Sequence, residues 1–115
     1  MIHEMKLQNN PFESIKNGTK KIEMRLYDEK RRKVNIGDYI EFKNLLTNEI
    51  IKTKVINIYK FNNFSELYNN FDKILLGYKE NEEADSSDMN KYYSESEQQK
   101  YGVVGIEIEL IKGDE

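Results

Sequence analysis

The segment GTKKIEMR, residues 18–25, brings Lys20, Glu23 and Arg25 close together in one short run. These are residue types that do chemistry. A lysine with a partly desolvated ammonium has a lowered pKa and can serve as a base. A nearby carboxylate pushes the other way, so the outcome depends on their distance. An arginine offers a planar fork for a phosphate or a carboxylate. The same spacing also suits a cross-strand ladder of salt bridges on a wet face, which is worth little energetically. Downstream, DEKRRKV sets four consecutive cations, Lys30 to Lys33, behind Asp28. Such a run is a solvated loop or, beside a cleft, a set of phosphate contacts. Asp28 could fold back onto Arg25 or Arg31 and order it.

The elements that position these residues follow from period and punctuation. IHEMKL alternates like a strand, with His3, Met5 and Leu7 on one face. NPFESIKNG reads as a short helix with Asn10 as N-cap, Pro11 in the first turn and Gly18 at the stop. KKIEMRLY is a second strand, with Ile22, Met24 and Leu26 facing one way and Lys21, Glu23 and Arg25 the other. DEKRRKVNIGD is a polar connection that ends in a Gly37-Asp38 turn. YIEFKN and IIKTKVINIYKF are further strands, and consecutive antiparallel pairing is expected. NFSELYNNF is a helix capped by Asn63 or Ser65. Residues 79–91 form an acidic loop or lid. YSESEQQKYG carries a capping box, Ser94 with Glu97, and VVGIEIEL is a buried closing strand. Five strands with short helices between them predict a small mixed α+β barrel.

Composition bounds the rest. The 115 residues predict one domain spanning 1–115, and the absence of cysteine excludes disulfides, thiolate metal sites and cysteine nucleophiles. No apolar run approaches the ~20 residues of a membrane helix, and MIHEMKLQNN lacks the apolar core of a secretory signal, so a cytoplasmic protein is expected. The net charge of −3 divides into +5 over residues 1–60 and −8 over the remainder, which permits a basic face on an acidic protein. His3 is the only histidine. Its parity with Met5 and Leu7 suits a core position better than a ligand, and no metal site or cofactor is expected. Tyr92, Tyr93 and Tyr101 flank the last helix, either packing it on the barrel or forming a base-stacking platform, and Tyr78 belongs to the same question.

The chain also resembles the ASCH domain family, a branch of the PUA-like superfamily. The likeness is carried by PFESIKNG, the G-x-K-x-I-E-x-R pattern of GTKKIEMR, the IGD turn and the closing YGVVGIEI, and it runs from His3 to Leu110. It implies a PUA-like barrel of five or six strands with a cleft beside the second strand. It also implies RNA or nucleotide recognition. Some members resemble amidohydrolases of N4-acetylcytidine, whose catalytic lysine falls on Lys20. A threonine stands three residues after that lysine in the hydrolase branch, and here the position is Glu23. Asp72, Glu80 and Glu97 are candidates for the downstream carboxylate that those enzymes use.

Three functions therefore stand open. One is a binding module for RNA or a nucleotide, using Lys20, Arg25, Asp28, Arg31, Tyr93 and Tyr101. Another is a small hydrolase of a modified nucleoside, with Lys20 and Glu23 catalytic. The third is a protein-interaction domain that uses the acidic segment 79–97. Nothing in the sequence assigns a preference for DNA.

Overall fold

IHEMKL forms strand β1 (Ile2–Leu7), with His3, Met5 and Leu7 buried and the residues between them exposed. These elements belong to a computed structural model that describes residues 1–112. Helix α1 (Asn9–Lys16) begins earlier than expected. Its N-cap is Gln8 rather than Asn10, so Asn10 and Pro11 lie inside the first turn. Proline is tolerated there because a first-turn N–H has no intrahelical acceptor to lose. Phe12 and Ile15, at 0% and 2% exposure, dock the helix on the core. Gly18, at φ +89°, makes the left-handed stop.

Strands β2 (Ile22–Leu26), β3 (Tyr39–Asn44), β4 (Ile50–Phe61) and β5 (Val103–Ile111) complete one sheet in the order β1-β3-β4-β5-β2. The expected chain of consecutive antiparallel pairs is corrected at both edges. β1 lies parallel to β3, with Ile2 beside Tyr39 and Leu7 beside Asn44. β2 passes to the far edge and pairs antiparallel with β5. The chain between β1 and β3 holds two helices and a strand, ample for the crossover that a parallel pair requires. The expected small barrel takes the form of a curled five-stranded half-barrel with β1 and β2 as its edges.

The region read as a polar connection contains helix α2 (Glu29–Arg32). Asp28 caps it by accepting from the Arg31 N–H at 3.1 Å, ahead of four residues of good helix propensity. After β4 come α3 (Phe64–Asn70), α4 (Lys73–Leu76), a 3-10 turn (Ser86–Lys91) and α5 (Glu95–Tyr101). Asn63, not Ser65, caps α3. Ser94 and Glu97 close the expected capping box on α5.

Two apolar layers lie on opposite faces of the sheet, the second only over β2 and the adjoining parts of β4 and β5. One holds Met5, Phe12, Phe42, Val104 and Ile106, under α1. The other holds Ile22, Met24 and Leu26 of β2 against Phe64, Leu67 and Leu76 of the later helices. β5 divides between them, with Val104 and Ile106 to the first layer and Val103 to the second. Gly105 keeps the second layer tight, since a Cβ there would stand 3.2 Å from Ile22 Cγ2 and 3.5 Å from Leu67 Cδ1.

Candidate functional site

The two faces of β2 have different fates. Its apolar set packs outward against the helices. Glu23 sits opposite Ile106 and Arg25 opposite Val104, so the charged set turns toward the core inside the half-barrel. This overturns the wet-face ladder. Glu23 is 3% exposed and Lys20 5%.

Arg25 donates from Nε to Glu23 Oε2 at 2.6 Å. Its Nη2 reaches across to the Lys6 carbonyl on β1 at 2.9 Å. A single side chain thus spans the seam between the two edge strands. Lys20 closes the other side of Glu23, with Nζ 3.4 Å from Oε1. The same ammonium donates to the Ile22 and Leu76 carbonyls, both at 2.9 Å. Three acceptors around one nitrogen suit the protonated amine, which has three donors and no lone pair to offer.

Burial pushes the Lys20 pKa down, against the pull of Glu23. For Glu23, burial alone pushes the carboxyl up, but Arg25 and Lys20 outweigh it and hold it below its ordinary value. Arg25 is raised despite burial, because Glu23 and the Tyr93 phenol favour its charge. Burial raises the Tyr93 phenol, while Arg25 and Arg31 draw it down.

The sequence candidates converge unevenly. Glu23, Arg25, Asp28 and Arg31 all act on Tyr93 electrostatically, so these five share one neighbourhood, and Lys20 joins through Glu23. Asp28 folds onto Arg31, accepting Nη1 at 2.9 Å, rather than onto Arg25. Tyr93 stacks on Phe64 with centroids 6.1 Å apart, so one face of its ring serves packing. The Tyr101 ring packs into the outer apolar layer and lines a separate groove of about 750 Å³ with Phe61, Asn63, Asn90 and Gln98. A second groove of about 420 Å³ is lined by Lys16, Gly18, Lys20, Lys21, Ile56 and Glu109.

The downstream carboxylates go elsewhere. Asp72 caps α4, Glu97 closes the box on α5, and Glu80 is exposed. His3 is buried and bonded to Asp38 at 2.8 Å, the core role its parity suggested. Sequence reasoning missed Lys6, Leu76 and Gly77. The first two contribute backbone carbonyls, which carry no residue signature. Nothing in the sequence marks Gly77 as the neighbour of Lys20. A Cβ on Gly77 would meet Lys20 Cδ at 3.0 Å. Among the described residues, no helix is long and apolar enough to cross a membrane, and no group of three or more His, Asp or Glu could hold a metal ion.

No curated protein matches the chain. The crystal structure of hypothetical protein PH0355 is similar, with 42% identity over 96% of this chain and 100% of that one, at a TM-score of 0.81. The solution NMR structure of Protein PF0455 from Pyrococcus furiosus is similar too, with 36% identity over 97% of this chain and 99% of that one, at a TM-score of 0.73. The ASCH domain family model matches residues 5–112. That span takes in β2 and its buried ions as well as both layers around them, and this chain belongs to the ASCH domain family.

Proposed function

We propose that this chain recognises RNA or a nucleotide at the seam between β1 and β2. The placement of Arg25 carries the reading. Burying ions costs desolvation that their attraction barely offsets, so a buried Lys-Glu-Arg relay is a poor device for stability. It is a good device for aiming a guanidinium. Glu23 fixes Nε and the Lys6 carbonyl fixes Nη2, with Tyr93 as aromatic neighbour. An arginine contacts phosphate or a base edge, and an aromatic ring offers a surface to a base. The net charge of −3 favours a short ligand over a long nucleic-acid tract.

Hydrolysis of a modified nucleoside such as N4-acetylcytidine comes second. In its favour, burial lowers the Lys20 pKa beside Glu23. Against it, all three Lys20 protons have acceptors. Glu23 is kept ionised between two cations and is poorly suited to deliver a proton.

The test is titration of a short single-stranded RNA and of nucleoside monophosphates, followed by amide NMR shifts. Shifts are expected around Arg25 and Tyr93 and should weaken with salt. Arg25→Gln should weaken binding by roughly ten-fold or more, as for loss of a charge-assisted hydrogen bond. If no RNA or nucleotide perturbs the seam, recognition there is wrong. Turnover of N4-acetylcytidine that disappears in Lys20→Ala would establish the hydrolase instead.

A further inference from the structure

Arg31 is only half employed. Asp28 Oδ2 takes its Nη1 at 2.9 Å. Its Nε–H is buried with no acceptor, the one such side-chain atom among the described residues. A buried, permanently charged donor without a partner is costly, and native proteins rarely leave one so. The free donors also have a shape. Nε and Nη2 form one edge of the guanidinium, two parallel N–H groups that match two oxygens of one anion.

Charge counting points the same way. Lys20, Glu23, Arg25, Asp28 and Arg31 make up the ion pairs of this neighbourhood. That is three cations to two carboxylates. Tyr93, the residue that all but Lys20 act upon, has a phenol raised by burial and adds no negative charge at neutral pH. The cluster is one anion short.

We infer that the Nε/Nη2 edge of Arg31, left open by the hold of Asp28 on Nη1, captures the phosphate of the ligand that binds this seam. This rests on the nucleotide reading and narrows it, since the preferred ligand is a phosphorylated nucleoside and not a neutral one. Asp28 is then a positioning residue, which fixes the fork without touching the anion. Because Nε lies below the surface, capture involves a rotation of the Arg31 side chain about its Asp28 anchor.

The experiment follows the Arg31 Nε–Hε resonance in 15N-labelled protein during separate titrations with inorganic phosphate, a nucleoside monophosphate and the matching nucleoside. The monophosphate should shift that resonance and bind roughly ten- to a hundred-fold more tightly than the nucleoside. Arg31→Lys keeps the charge and loses the fork, so it should cut that preference roughly ten-fold. Equal affinity for nucleotide and nucleoside, with an unmoved Arg31 resonance, overturns the anion site and leaves base recognition standing. A phosphate-induced shift at Arg31 with no added affinity from any nucleoside keeps the anion site and removes the nucleotide reading. Silence toward all three ligands overturns both.

Discussion

Arg25 Nε lies 2.6 Å from Glu23 Oε2, and both side chains point into the half-barrel rather than to solvent. Lys20 approaches the other oxygen of the same carboxylate. Glu23 is therefore the shared counter-charge of the buried Lys20 and the part-buried Arg25. Glu23→Gln keeps the shape and removes that charge. Loss of a buried partner of this kind costs about 3–5 kcal/mol. A large drop in denaturant midpoint is expected, and a change within the error of a surface substitution would mean that water already screens the relay.

Gly77 tests how tightly Lys20 is held. Its φ is +107°, a region that costs an L-residue about 1–2 kcal/mol. An alanine Cβ would also crowd Lys20 Cδ at 3.0 Å. Gly77→Ala should therefore destabilise the domain by more than the strain alone, and combined with Lys20→Ala, which removes the crowded Cδ, it should cost less than the sum of the two. Denaturant melts of both singles and the double give the coupling directly.

Acid should destabilise the protein in part through two of its carboxylates, Asp38 and Glu23. The His3 bond and the Asn35 N–H hold Asp38 below its ordinary value, and Arg25 and Lys20 overcome burial to do the same for Glu23. In the unfolded chain both groups take up protons more readily than in the folded one. Their contribution is fully present above the usual carboxylate range near pH ~4 and is lost as pH falls through the folded values. Thermal melts should show Tm falling steeply on the acid side. Asp38→Asn should lower Tm at neutral pH and flatten that acid slope, while an unchanged slope would remove Asp38 from the account.

The Tyr78 hydroxyl ties the acidic segment down. It bonds Asp88 Oδ2 at 2.6 Å, the Tyr68 hydroxyl at 2.9 Å and the Asp85 carbonyl at 3.2 Å. Tyr78→Phe removes all three contacts and should cost about 1–3 kcal/mol. Hydrogen exchange should accelerate locally, across the 3-10 turn and toward Tyr93, with little change in β3 and β4. Uniform acceleration would mean that the segment unfolds only with the whole domain.

Much of this architecture could be read before the fold was known. His3, Met5 and Leu7 declared their face because β1 is buried on one side only. Ser94 and Glu97 declared the start of α5 because a capping box is a local device. β2 was harder. Its alternation separated Ile22, Met24 and Leu26 from Glu23 and Arg25, but period two assigns residues to faces without saying which face is inside. Both sides of β2 are covered, and its buried carboxylate has no counterpart in an ordinary polar-out strand. The parallel pairing of β1 with β3 was likewise hidden, since the connection winds through α1, β2 and α2. Lys20, Glu23 and Arg25 were legible as a group. Their closure through Lys6 and Leu76 was not, because backbone carbonyls are the same at every position.

The register of β2 also sets an order of events during synthesis. Ile22 pairs with Glu107 and Leu26 with Val103, so the strand carrying Glu23 and Arg25 waits for nearly the entire chain before it finds its neighbour. Pairings this distant along the chain form late and slowly. At about 5–20 residues per second on the ribosome, β2 spends seconds as an edge without a sheet, its charged residues still in water. Desolvation of the relay is then among the final acts of folding. A nascent or prematurely terminated chain cannot display the seam, and its appearance reports that the last strand has arrived.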